Sequence, residues 1–272
     1  MTSTALPTLP RLPHTGRVTQ LRIFVSEWTK LRSVRSTRWS LFVAFVFTTG
    51  IAAIATAVVS HHWPQASFHD RADFHPLEPT FGGVQLAQLA IGVLGVLVIT
   101  GEYSTGMIRA SMTAAPRRLP VLWGKAVVYG LTTLALMLPA VFIAFFVGQA
   151  ILSGRHIEAH LGDPGVLRAV IGAGLYLTVV GLLGLGLGAI VRNTAGGIAL
   201  FAGLMFVLPP LMNVLPTSWN NAISPYLPLQ AGERILQTTG GTLSPWEGFG
   251  VLCGYAVASL VIAAVLLKER DV

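Results

Sequence analysis

The chain is 272 residues long, 53% hydrophobic and only 11% charged, with a formal charge of +7. A soluble domain carries about 25% charged residues, so roughly half of the expected charge is missing, and an ordinary water-soluble enzyme is excluded. The single cysteine, Cys253, excludes an intrachain disulfide.

Residues 1–17, with Pro7, Pro10 and Pro13, show no apolar periodicity and are expected to form a disordered tail. Leu21, Phe24, Val25, Trp28 and Leu31 then recur at i, i+3, i+4, i+7 and i+10, which predicts an amphipathic helix over residues 18–38. Lys30 occupies another face, and Arg32, Arg35 and Arg38 crowd towards the segment that follows. Such a helix is expected to lie in the membrane interface, with its basic groups towards anionic lipid headgroups. A simple topological anchor is the alternative.

Six runs without Asp, Glu, Lys or Arg come next: Ser40–Val59, Phe81–Thr100, Ala126–Ala150, Ala169–Val191, Ala195–Val214 and Gly248–Leu267. Each reaches the length of about 20 residues that crosses a hydrocarbon core of roughly 30 Å. None shows the polar stripe of a soluble bundle helix. The fold class is therefore an all-α integral membrane protein whose six transmembrane helices fill residues 39–267, with a short tail at 268–272.

An even number of spans places both termini on one side. That side carries fourteen basic and four acidic residues, the other four basic and seven acidic. By the positive-inside rule both ends are cytoplasmic. The basic character of the chain thus reports topology and needs no nucleic-acid partner.

Within the spans the polar groups are mild. Gln85, Gln88, Gln149 and Asn213 lie towards the outer ends, where they could line a substrate path or simply bond helix to helix. With no ionisable group inside the six runs, a carrier driven by protons or sodium is disfavoured. Span four contains Gly181, Gly184 and Gly188, small-residue spacing that lets another helix approach closely. Pro139 and the pair Pro209-Pro210 are expected to kink or break spans three and five.

The segment Gly101–Lys125 between spans two and three, GEYSTGMIRASMTAAPRRLPVLWGK, is the longest inter-span stretch on the cytoplasmic side. Gly101 to Gly106 copies half of a phosphate-binding loop, but Met107 and Ile108 stand where Lys and Ser or Thr are required. A short helical stretch, the breaker Pro116 and the basic pair Arg117-Arg118 suit docking in a groove of another protein.

The run Ser26-Glu27-Trp28-Thr29-Lys30-Leu31-Arg32-Ser33, six spans, and the loop carrying Glu102, Gly106, Arg109, Pro116, Arg117, Arg118 and Lys125 together resemble the ABC-2 type transporter permeases, particularly those of actinobacteria. The resemblance covers the chain from about residue 18 onward. It implies a transmembrane subunit with no catalytic residues of its own, paired with a second permease subunit as a homodimer or with a related chain. It also implies a separate ATP-binding cassette ATPase subunit that holds ATP and magnesium. The N-terminal amphipathic helix would be the connecting helix, and the loop after span two would carry the coupling helix.

On the outer side, His61, His62, His69, His75, His156 and His160 accompany several carboxylates. Imidazole and carboxylate suit zinc or copper, and His156 and His160 have the spacing of one helical face. The expected reading is a polar surface without a metal. Residues Leu215–Trp246, with Pro216, Trp219, Pro225, Tyr226, Pro228 and Trp246, are expected to form short interfacial or re-entrant helices.

The expected function is the permease half of an ATP-driven exporter in the cell membrane, surrounded by lipids, moving a drug-like, lipid, peptide or glycan substrate. An ion-gradient-driven carrier and a membrane-embedded assembly factor are the alternatives.

Overall fold

A computed structural model describes residues 20–104 and 118–269. Among these residues every regular element is helical. In chain order they are α1 (Gln20–Ser33), α2 (Arg35–His62), α3 (Phe68–Ala72), α4 (Leu77–Ser104), α5 (Arg118–Leu152), α6 (Val166–Val191), α7 (Thr194–Ala202), α8 (Leu208–Leu211), α9 (Thr217–Ile223), α10 (Pro228–Glu233) and α11 (Pro245–Glu269). Six segments are long and apolar enough to cross a membrane: α2, α4, α5, α6, the composite Thr194–Val214, and α11. Helix is the form that satisfies each backbone donor and acceptor within its own segment where no water is available.

The N-terminal helix ends earlier than its charge pattern suggests. Val34 is extended (φ −76°, ψ 116°) and separates α1 from α2, so Arg35 and Arg38 belong to the first turn of the first span and not to the connecting helix. The two proline sites, Pro139 and Pro209-Pro210, behave differently. Helix α5 runs unbroken through Pro139. Ahead of Pro209 and Pro210, span five instead switches from α7 to a π-helical turn over Gly203–Val207, then resumes as α8 and closes in a 3-10 turn at Met212–Val214. A π turn absorbs the register change forced by residues that have no N–H to donate.

Helix α6 is the axis of the bundle. Its membrane window is 78% buried, against 22% for α2 and for span five. It packs on α4, α5 and α11, with Tyr176, Leu177, Val180 and Leu183 in the core. Its contact with α4 is a backbone contact. A Cβ at Gly184 would stand 2.2 Å from the Gly92 carbonyl oxygen, and one at Gly95 2.2 Å from that of Gly181. Gly188 faces Val96 and Ile99 of the same helix. Tyr129 of α5 closes the triangle by donating to the Ile91 carbonyl at 2.7 Å.

Span four ends abruptly. Arg192 takes a left-handed conformation (φ 57°), and Asn193 caps α7 by accepting from the Gly196 amide at 2.9 Å. At the opposite end of the bundle, the long segment before α11 does not lie flat. Ala231, Gly232 and Ile235 are buried, and Gly232 sits against Tyr176 and Leu252. Tyr176 is roughly 15 Å along α6 at 1.5 Å per residue, so α10 packs against the flank of α6 and not on its end.

A buried charge cluster at the terminal end and the residues around it

At the end of the bundle that carries both termini, three helices meet through charged side chains. Lys125 of α5 donates to Glu27 of α1 at 2.6 Å and to Glu102 of α4 at 2.9 Å. Lys30 of α1 donates to Glu27 at 2.8 Å and to the same Glu102 oxygen at 2.9 Å. Glu27, Glu102 and Lys125 are almost wholly buried, while Lys30 keeps 32% of its side chain exposed. Two carboxylates and two ammonium groups form a closed, neutral quartet, the arrangement that makes burial of charge tolerable.

Helix geometry explains the meeting. Glu27 and Lys30 are one turn apart on α1, and Glu102 and Lys125 lie in the last turn of α4 and near the start of α5, the two helices that flank residues 105–117. Burial by itself favours the neutral Lys30 amine, but Glu27 and Glu102 outweigh it and hold the ammonium above its ordinary value. A raised pKa keeps this contribution intact below the unfolded value and removes it only as pH rises through the folded one. Lys30 therefore keeps its charge across the physiological range. Among the described residues Glu102 Oε2 is buried without a partner, so within them the carboxylate depends on the bonds made by its other oxygen.

A second set of ties closes the same end. Arg192 Nη2 donates to the Leu266 carbonyl of α11 at 3.0 Å, and its guanidinium stands 5.7 Å from the centre of the Tyr103 ring. Thr194 donates to Thr100 at 2.9 Å. Spans two, four, five and six are thus joined beside the quartet.

The residues singled out from the sequence divide clearly. Glu102 and Lys125 come together. Gly106, Arg109, Pro116 and Arg117 lie outside the described residues, and Arg118 opens α5. On α1, Phe24 and Leu31 pack on the core, whereas Val25 and Trp28 are exposed and border an apolar groove shared with Leu131 and Leu136 of α5. Lys30, expected among headgroups, turns inward because two buried carboxylates compete for it. Arg32 is exposed.

The four amides also separate. Gln149 donates to Thr80 at 2.9 Å and accepts from the Ala159 amide at 2.8 Å, and the Tyr176 hydroxyl donates to Gln88. Both are helix-binding groups. Gln85 and Asn213 instead line cavities at the far end. His156 and His160 do not share a helical face, because His156 is left-handed and ends the 3-10 turn Ser153–Arg155. No group of three or more His, Cys, Asp or Glu side chains suited to a metal occurs among the described residues.

Two participants were not selected as site residues. Glu27 was legible only as part of the N-terminal motif, since its partners are distant in sequence. Glu233 sits among prolines and aromatics in a stretch that reads as short interfacial or re-entrant helices; its sequence sign is a lone carboxylate between the apolar pairs Ala231-Gly232 and Ile235-Leu236.

An all-helical bundle of six spans, bound together at one end by a buried quartet of charges, defines a multi-pass membrane protein. The chain belongs to the ABC-2 family of transporter proteins, whose family model matches residues 23–272. It is a membrane permease component of an ABC transporter and not itself the nucleotide-binding ATPase, and its family implies a partnership with an ATP-binding cassette subunit. No curated protein matches it at a significant level.

Proposed function

We propose that the chain is the transmembrane subunit of an ATP-driven exporter, that a separate cassette subunit holds ATP and magnesium, and that residues 105–117 receive the motion of that subunit. The observation that supports this reading is the quartet Glu27–Lys30–Glu102–Lys125. It clamps the connecting helix to both helices that flank the loop. A push on the loop then displaces α1, α4 and α5 together, and the backbone contact between α4 and α6 passes the displacement to the bundle axis. The basic excess at this end supports a cytoplasmic position for it. The lightly buried faces of α2 and span five leave room for a second permease copy beside lipid.

The quartet speaks against the ion-gradient alternative, because its four charges pair with one another at one end of the bundle, and no chain of ionisable groups runs from there to the other end among the described residues.

The test is Arg117→Glu combined with Arg118→Glu. Reversing both charges beside Pro116 is expected to leave the chain folded in the membrane while it loses co-purification with its cassette subunit or uncouples ATP hydrolysis from export. Normal assembly together with normal export would sink the assignment of this loop.

A further inference from the structure

At the end of the bundle opposite the termini, a cavity of about 470 Å³ opens between the start of α4, the middle of α6 and the chain that follows α10. Phe81, Val84 and Leu236 give it apolar walls, Tyr176 and Glu233 line its inner part, and Glu78 and His75 stand at the exposed rim. Glu233 makes no hydrogen bond or ion pair among the described residues. The two nearby arginines are engaged elsewhere: Arg168 donates to the Gln237 carbonyl at 2.8 Å, and Arg234 donates to the Leu243 carbonyl at 3.2 Å and to the Gln237 side chain.

A half-buried carboxylate held in such a place has no counter-charge among the described residues, and desolvation makes one favourable. An aromatic face beside it attracts a cation through its quadrupole, and a carboxylate at the rim adds a negative potential that steers one inward. An anion would meet two carboxylates, and a neutral ligand would leave Glu233 unpaired.

We propose that this cavity binds a monovalent organic cation with an apolar body, of the amine or onium class, with Glu233 as its counter-charge and Phe81 and Tyr176 as its walls. The site lies within one copy of the chain, so it stands or falls separately from the ATPase partnership.

A pH signature follows. Burial pushes the Glu233 carboxyl up to about 7, so the free site is largely protonated in mild acid and a bound cation must displace that proton. The charged and titratable groups facing or flanking the cavity are His75 and Glu78 before and in α4, Tyr176 and Arg168 on α6, and Glu233 and Arg234 at the end of α10. Of these, Glu233 and Glu78 make no side-chain hydrogen bond or ion pair among the described residues, and Glu233 is the one on the inner wall, where the guest sits.

The experiment is calorimetric titration of the purified chain, in an uncharged detergent, with tetraphenylphosphonium and with its anionic counterpart tetraphenylborate. Tetraphenylphosphonium is expected to saturate one site per chain and to bind more weakly at about pH 6 than at about pH 8. Glu233→Gln is expected to weaken it by about tenfold or more and to abolish the pH dependence. Because the probe carries a permanent charge, any pH dependence belongs to the protein. Absence of saturable binding, equal affinity for the borate, or unchanged affinity in Glu233→Gln would each overturn the proposal. On the unmodified chain, pH-independent affinity also overturns the proposal, whatever the stability of the variant.

Discussion

Replacing Lys125 with Met is expected to lower the stability of the purified chain by about 3–5 kcal/mol, the range found when one partner is removed from a buried ion pair. The substitution keeps length and apolar volume while removing the ammonium that bridges Glu27 and Glu102 at 2.6 and 2.9 Å. Two buried carboxylates then share the single charge of Lys30. Glu102 is the more vulnerable to this loss, since its second oxygen is already buried without a partner among the described residues. Adding Glu27→Gln to Lys125→Met leaves one carboxylate with Lys30 and restores neutrality, so the double variant is expected to be more stable than the single one. This non-additivity distinguishes a coupled quartet from independent pairs. Thermal unfolding in detergent reads both values. A loss below about 1 kcal/mol for Lys125→Met, the worth of an exposed pair, would show that water reaches the cluster and that the clamp on the loop is weak.

The quartet illustrates which parts of this molecule are legible in its sequence. Apolar runs announce spans because lipid imposes the same demand on every turn of helix, so length and composition are enough. The contact between Lys125 and Glu27 has no such local sign. Each residue reads as a span-flanking charge, and only the path of α1 back across α4 and α5 brings them together. Glycine spacing on α6 indicates a close approach without naming the partner, and the answering residues, Gly92 and Gly95, carry no motif that sets them apart from other span glycines. Glu233 is the extreme case. Prolines and aromatics around it describe an interfacial segment, and its partial burial follows from α10 packing against Tyr176, a contact between segments far apart in the chain. The break at Val34 and the π turn at Gly203–Val207 belong to the same class, because short departures from helix are decided by neighbours more than by propensity.

Gly184→Ala should be among the most damaging conservative changes in the chain. A methyl group usually helps a helix, by up to about 1 kcal/mol relative to glycine. At Gly184 the new Cβ would stand 2.2 Å from the Gly92 carbonyl oxygen and 2.9 Å from its carbon. Neither atom belongs to a side chain that can rotate away, so α4 and α6 must separate. Overpacking of this kind costs about 1–3 kcal/mol, occasionally more, and here it acts on the most buried span. Gly50 provides the matched comparison: it also lies inside a span, but nothing stands within 4 Å of its added Cβ, so Gly50→Ala should be neutral or slightly stabilising. The sign of the change in melting temperature is thus expected to differ between two identical substitutions. If the α4–α6 contact also carries displacement from the loop to the bundle axis, Gly184→Ala should reduce export per ATP hydrolysed beyond any loss of folded protein, while Gly50→Ala leaves that ratio unchanged. Equal thermal behaviour of the two variants would mean that α4 and α6 are not held backbone to backbone, and the route for the stroke through the bundle axis would have to be abandoned.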